Sequence, residues 1–249
     1  VLVVIPARYG STRFPGKPLA LLKDKKTLIQ HVYENSACSR LASELVVATD
    51  SEEILRSVAA FGGKAVMTAS GHPSGTDRAA EVARAADCDI IVNVQGDEPL
   101  IRGEMIDAVI RLLEDGRADM GTLARRIEGP EEMLDPNVVK VAFDREGFAL
   151  YFSRAPIPYH RDLWKSLGSV RGTRFTAYKH IGIYSYRKEA LLKVSGLEPT
   201  TLELAERLEQ LRALENGMRI KVGETPFNTI GVDTPEDLEK VERCLSISS

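Results

Sequence analysis

The stretch Val3–Leu19, VVIPARYGSTRFPGKPL, decides how the rest of the chain is read. Val3, Val4 and Ile5 are β-branched and apolar, which suits a buried strand. The strand runs into a loop holding Pro6, Pro15 and Pro18, Gly10 and Gly16, and the cations Arg8, Arg13 and Lys17. Such a loop offers backbone N–H groups to an anion, and Arg and Lys add charge-assisted contacts. Three cations balance most of the roughly four negative charges of a nucleoside triphosphate, at about one to two per phosphate. Lys17 is followed by Pro18, so this is not a P-loop, which needs Ser or Thr there. An ordinary solvated basic loop has the same composition, and spacing alone leaves both readings open.

Outward from this stretch, apolar runs alternate with helical patterns. Leu28, Ile29, Val32 and Tyr33 share one face of a helix over 27–37. LVVATD (45–50) reads as a second strand, and Asp50 with Glu53 reads as a capping box for a helix that Gly62 ends. AVMT (65–68) precedes a helix near 76–86. DIIVNVQGDEP (89–99) reads as a strand ending in a polar turn, and residues 103–115 as a helix closed by Gly116. This order predicts an α/β fold, a mostly parallel sheet with helices on both faces. Ligands of such sheets bind outside the carboxyl ends of the strands. ARYGSTRFPGK, QGDEP and GVDTPEDL (231–238) all fall at predicted strand ends.

The middle differs. VVKVAFDREGFALYFSR (138–154) reads as a hairpin turning at 145–147, AYKHIGIYSY (177–186) as a strand, and Thr200–Glu215 as one helix. Leu204, Leu208 and Leu211 form that helix's apolar ridge, with Glu209 at its margin. Residues 160–177 lack periodicity and read as a surface loop. We expect one domain over 1–249 with an inserted β-rich lobe at about 130–200. GVDTPEDLEKVERCL then returns the chain to the main sheet, with Thr234 capping the last helix and Pro235 at its first position.

The 249 residues are 43% hydrophobic, and a chain of this length buries ~75% of its unfolded surface. A net charge of −3 argues against a general nucleic-acid partner. Cys38, Cys88 and Cys244 are far apart, which suits reduced thiols in the cytoplasm, and the four histidines are too scattered for a zinc site. No stretch approaches the ~20 apolar residues of a membrane span. VLVVIPARYG lacks a basic leading region and reads as a core strand.

Asp97 and Glu98 of QGDEP sit at the tip of a strand too apolar to be exposed. Carboxylates there suit Mg²⁺, which takes one or two protein carboxylates plus phosphate oxygens and water. A polar turn stabilised by its own Asp is the alternative. Asp233 supplies another carboxylate, unless it is a helix cap beside Thr234.

The opening motif resembles the signature of the sugar-nucleotide cytidylyltransferases. The likeness extends along essentially the whole chain through VATDSEEI (47–54), SGTDR (74–78), VNVQGDEP, HIGIYSYR (180–187), LEQLR (208–212) and GVDTPEDL. QGDEP, ALYFSR (149–154) and LEQLR resemble the branch that uses 3-deoxy-manno-octulosonate (Kdo). The resemblance implies a Rossmann-like nucleotidyltransferase fold. It implies transfer of CMP from CTP to the anomeric hydroxyl of Kdo, with release of pyrophosphate, need for Mg²⁺, a cytoplasmic homodimer and a role in lipopolysaccharide synthesis. In that reading Arg8, Arg13 and Lys17 hold the triphosphate, within a loop that includes Ala7, Gly10 and Ser11. Lys17, Arg8 and Asp97 act on the reacting phosphate. Ser74, Gly75 and Arg78 line the cytidine pocket, and Asp97 and Asp233 bind the metal. Gln95, Arg154, His180, Tyr184 and Glu209 contact the sugar acid, with Arg154 reading its carboxylate. Taken without the resemblance, Arg154 is a structural ion pair, His180 a hydrogen-bonded core histidine, Tyr184 strand packing, and Glu209 a charge paired with Arg212. Two further function readings stay open: a cytidylyltransferase for a related acidic sugar, such as 8-amino-Kdo or a sialic acid, and a catalytically silent binding module on the same fold.

Overall fold

Alternation along the first strand sets the layers. β1 (Leu2–Ala7) turns Leu2 and Val4 to one face of the sheet and Val3, Ile5 and Ala7 to the other, and all five are buried. A strand buried on both faces belongs inside a parallel sheet. In the computed structural model, which describes residues 1–10, 14–161 and 176–247, β1 pairs in parallel with β2 (Glu44–Thr49) on one side. β3 (Ala65–Met67) lies outside β2, and β4 (Ile90–Val94) lies on the other side of β1. β5 (Met120–Arg126) and β9 (Ile220–Glu224) form a second parallel pair. The long strand β8 (Tyr178–Arg187) runs antiparallel between β4 and β5 and joins the two halves. The order is β3-β2-β1-β4-β8-β5-β9, so six of these seven strands share one direction, as expected of a mostly parallel sheet.

Helices cover both faces. α1 (Leu28–Ser36), α2 (Glu52–Ala60) and α4 (Gly103–Leu112) pack Ile29, Val32, Ile54, Val58, Met105 and Ile106 onto the face of Val3 and Ile5. α3 (Gly75–Ala85), α6 (Lys188–Ser195) and α8 (Gln210–Glu215) pack Ala79, Ala80, Ala83, Leu191 and Leu211 onto the face of Leu2 and Val4. The alanine stripe of α3 lets that helix lie close to the sheet, which brings its N-terminus over the end of β1. The short α5 (Pro130–Leu134) leads into the hairpin β6 (Lys140–Phe143) and β7 (Ala149–Ser153). That hairpin continues the sheet by pairing β6 with the first residues of β8.

Three expectations need correction. Thr200–Glu215 is two helices: α7 (Thr201–Glu206) ends where Arg207 turns left-handed at φ 55°, and α8 restarts at Gln210. Leu204 is accordingly exposed rather than part of a continuous ridge, while Leu208 and Leu211 are buried. GVDTP is not a strand and does not re-enter the sheet. It is coil, and α9 (Pro235–Ile247) packs Val241 against Val232, Leu22 and Leu28 beside the first loop. Asp50 does not cap α2: Ser51 does, accepting from the Ile54 N–H, which leaves Asp50 for another partner.

Candidate active site

The loop after β1 returns on itself through the Gly16 N–H to Tyr9 carbonyl bond, at 3.1 Å, and then makes a 3₁₀ turn over Lys17–Leu19. That turn aims Lys17 across the carboxyl end of the sheet. Its Nζ lies 2.7 Å from Asp97 Oδ2 and 3.3 Å from Asp233 Oδ1. The side chain of Lys17 is only 11% exposed, whereas those of Asp97 and Asp233 are 33% and 47% exposed. An ammonium is thus held between two carboxylates that still face solvent. Arg8 is exposed on the wall of the same cleft. Gly10 is exposed and stands clear of the other residues, and Ser11 and Arg13 lie outside the described residues.

Asp97 gets there because Gly96 lets the QGDEP turn lie against β1. A Cβ at Gly96 would sit 2.6 Å from the Pro6 carbonyl oxygen, which no side chain tolerates. Asp233 arrives from the far end of the chain, on coil anchored by the Val232 N–H to Asp97 carbonyl bond at 2.9 Å. Thr234 and Asp237 make the helix cap between them, so Asp233 is not needed for it. Glu98, next to Asp97 in the chain, points inward instead, and burial beside Asp97 pushes its carboxyl up to about 8.

The other wall of the cleft is the start of α3. Ser74 caps that helix, donating to Asp77 Oδ2 at 2.7 Å and accepting from the Asp77 N–H. A Cβ at Gly75 would meet Pro6 of β1 at 3.4 Å. Arg78 borders the cleft but donates inward, to Asp50 at 2.8 Å, to Thr68, and to the Ala69 carbonyl. Asp50 and Arg78 thereby tie the end of β2 to α3. His72 lines the cleft as well, with its Nε2 bound to Glu81. Ala7, Lys17, Ser74, Gly75, Gln95, Asp97 and Asp233 all face this one cleft.

Gln95 also borders a second, smaller pocket, shared with Thr76, Tyr184, Tyr186, Glu209 and Gln210. The break between α7 and α8 puts Glu209 at the N-cap position just before α8, turned toward the start of α3. Burial raises its carboxyl above the usual range, opposed by hydrogen bonds from Thr76 and Ser74. Arg212 is not its partner; that guanidinium grips Glu203 through two bonds of 2.6 and 2.8 Å. The Tyr184 hydroxyl is buried without a hydrogen-bond partner among the described residues, as is Nδ2 of Asn93 directly across on β4. An unmet polar group in a cavity wall marks a place where a ligand or water gains a bond.

His180 sits behind Tyr184, ring centroids 5.2 Å apart, and edge-on to Phe152. Its Nε2 bonds the Thr122 hydroxyl at 2.9 Å, and burial pushes the imidazole down to about 3, so it is neutral. Arg154 faces α7 instead of a cavity. Its Nε, Nη1 and Nη2 reach the carbonyls of Glu206, Pro136 and Arg207 at 2.8, 3.0 and 3.5 Å. The structure therefore gathers the loop lysine, both aspartates and the α3 start in one cleft. It gathers Gln95, Tyr184 and Glu209 around the adjoining cavity, with His180 one layer behind and Arg154 bound elsewhere.

The sequence profile of the family described as Cytidylyltransferase matches residues 2–220. This chain belongs to the cytidylyltransferase family. It is 56% identical over 250 residues to a 3-deoxy-manno-octulosonate cytidylyltransferase of Geobacter metallireducens, covering 99% of this chain and 98% of that one. It is 53% identical over 256 residues to the protein of the same name from Thermodesulfovibrio yellowstonii, covering 100% and 99%. Among solved structures it superposes on CMP:2-keto-3-deoxy-manno-octonic acid synthetase complexed with CTP with a TM-score of 0.90. That likeness holds at 42% identity over 100% of this chain and 99% of the other. A 4-diphosphocytidyl-2C-methyl-D-erythritol synthase from Anaerococcus prevotii shares the fold alone, at 13% identity and a TM-score of 0.62.

Asp50, His72, Asn93, Thr76 and Gln210 of this cytidylyltransferase escaped the sequence reading. Asp50 was masked by a plausible capping pattern, His72 lies in coil between β3 and α3, and the others sit in segments whose periodicity spoke only of strand and helix. The metal expectation can be tested on the donor set. Asp97 and Asp233 converge on one cationic point, both partly solvent-facing and both oxygen donors, which suits Mg²⁺. Among the described residues no group of three or more His, Cys, Asp or Glu converges, so phosphate and water oxygens would complete the shell.

Proposed function

We propose that this cytidylyltransferase transfers CMP from CTP to the anomeric hydroxyl of Kdo and releases pyrophosphate. The observation that carries it is the pairing of two spaces across Gln95. One has an ammonium and two carboxylates on its wall, and the other is a smaller pocket to which Glu209, Tyr184, Thr76 and Gln210 contribute polar groups. The names of the relatives at 53% and 56% identity point to the same substrates.

In this reading the triphosphate lies toward Arg8 and Lys17, and the nucleoside toward Ser74 and Gly75. The sugar acid occupies the second cavity, so that the hydroxyl meets the α-phosphate near Gln95. Lys17 neutralises charge on the phosphate, a stabilisation that grows as the phosphate–oxygen bond breaks. Asp97 and Asp233 would hold Mg²⁺, which when bound lowers the pKa of the attacking alcohol and offsets phosphate charge. Glu209 and the unpartnered Tyr184 hydroxyl supply an acceptor and a donor for sugar hydroxyls. His180, neutral and bonded to Thr122, orients the Tyr184 ring.

The hairpin side carries Leu134, Leu150, Tyr159, Leu202 and Leu204 as exposed large apolar residues, which supports a homodimer formed through that side. Three free cysteines suit a reducing compartment such as the cytoplasm. No helix among the described residues is long and apolar enough to cross a membrane. The deciding experiment is pyrophosphate release with CTP and Mg²⁺, with Kdo, 8-amino-Kdo and a sialic acid offered separately. Release with Kdo at the highest kcat/KM is expected. Preference for another acid would reassign the substrate, and no release with any would make the chain a binding module.

A further inference from the structure

Residues 229–233 make no strand pairing, yet they deliver a carboxylate to within 3.3 Å of Lys17. Something other than a β-ladder must fix them. The Val232 N–H to Asp97 carbonyl bond is one tie. The second is Glu98, whose side chain turns away from the cleft and into the protein. It takes a hydrogen bond from Thr229, and its Oε1 lies where a Cβ at Gly231 would be 3.2 Å away. Its Oε2 is buried without a hydrogen-bond partner among the described residues, beside the apolar side chains of Val94, Ile101, Ile181 and Ile183. A turn residue kept only for solubility would point to water. This one leaves a polar oxygen unmet to reach the coil opposite, which marks a positional demand.

We propose that Glu98 is a positioning residue. With Gly231 it clamps the 229–233 coil onto the QGDEP turn, and so sets the separation of Asp97 and Asp233 and their affinity for a divalent cation. The inference rests on reading those two aspartates as the cation-holding pair. The clamp needs the shape and acceptor oxygen of Glu98, both of which Gln keeps and Ala loses. A Cβ at Gly231 would crowd Glu98 Oε1 at 3.2 Å, so one of the two would have to give way.

The test is Mn²⁺ binding, followed by the free-ion electron paramagnetic resonance signal, to the full chain with CTP and no sugar acid. Turnover against Mg²⁺ is measured in parallel. Glu98→Ala is expected to weaken Mn²⁺ binding about 10-fold, the scale of one net hydrogen bond. The Mg²⁺ needed for half-maximal turnover should rise alike, with KM for the sugar acid unmoved. Glu98→Gln should restore Mn²⁺ affinity to within about threefold of the wild type, a difference well under one hydrogen bond. Gly231→Ala, which pushes a methyl against Glu98, should weaken binding in the same direction. Unaltered Mn²⁺ affinity in Glu98→Ala overturns the proposal. So does Glu98→Gln binding as poorly as Glu98→Ala, which would make the ionised carboxylate itself a ligand. Should Glu98→Ala not fold, Gly231→Ala decides, and its binding Mn²⁺ like the wild type overturns the clamp. If the wild type itself fails to bind Mn²⁺ with CTP, it is the reading of Asp97 and Asp233 that falls.

Discussion

Removing Lys17 should tighten metal binding while destroying activity. Lys17 occupies the point on which Asp97 and Asp233 converge, so a cation must compete with it. Lys17→Met deletes the competitor and leaves the carboxylates facing each other. Their nearest oxygens lie 2.7 and 3.3 Å from one nitrogen, hence within about 6 Å of each other, and repel by ~0.7 kcal/mol at the dielectric of water. Both are a third or more exposed, so the water value is the one to use, and each lost surface ion pair adds ~0.2–1 kcal/mol. A dication relieves the repulsion and need not displace the ammonium. Together these favour binding by ~1–2.5 kcal/mol, or roughly 5- to 70-fold. Mn²⁺ titration of Lys17→Met without nucleotide measures this. Turnover should move the other way: kcat falls by roughly 100-fold or more, with a smaller rise in KM for CTP, because the phosphate charge that Lys17 offsets grows in the transition state. Mn²⁺ binding no tighter in Lys17→Met would refute the competition. An effect confined to KM for CTP would leave Lys17 a ground-state contact only.

Asp97→Asn keeps shape and removes charge, so activity at limiting Mg²⁺ should collapse, and Asp233→Asn should follow it; full activity in Asp97→Asn refutes the assignment. Asp50→Ala strands the buried Arg78 guanidinium and should cost ~3 kcal/mol in urea unfolding, the low end for a broken buried pair because Thr68 and Ala69 still accept from it. Arg154→Met removes three bonds to backbone carbonyls and should cost ~1–3 kcal/mol of stability, with KM for Kdo affected less than tenfold; a larger rise in that KM would return Arg154 to the sugar site. His180 is held down to about 3 by burial, against about 6.5 when unfolded. A depressed group contributes stability that is present above the unfolded value and is lost as pH falls through this window. Unfolding free energy should therefore drop by ~1.4 kcal/mol per pH unit between about 6 and 3 on this account. His180→Gln should flatten that slope by one proton, and an unchanged slope would show that His180 already titrates normally.

The fold was legible where burial imposes a period. VLVVI and DIIVNV read as apolar strands and 76–86 as a helix, and the structure has β1, β4 and α3 there. Lys17 and Asp97 were legible because each follows an apolar strand; Asp233 was legible as a carboxylate, although the segment that carries it is coil and not the strand end expected of it. What escaped was decided by a single local competition or by a tertiary contact. Ser51 and Asp50 both suit a helix cap, and the buried Arg78 claims Asp50 because an unpaired buried guanidinium costs more than a lost cap. Thr200–Glu215 has helical period throughout, and the break at Arg207 depends on partners remote in sequence: Glu206 binds Ser153 and the Arg154 N–H, and Glu203 binds Arg212. That break carries Glu209 off the helix surface and into the cavity wall, so the residue whose periodic position argued most for a solvated charge is among the most enclosed carboxylates near the site. Arg154 fails the opposite way. Its neighbours pinned its backbone as expected, and the same α7 terminus that the break exposes then offers carbonyl groups to its guanidinium. One left-handed residue, Arg207, thus accounts for both departures, and Arg207→Gly, which favours that conformation, should be tolerated where Arg207→Val is not.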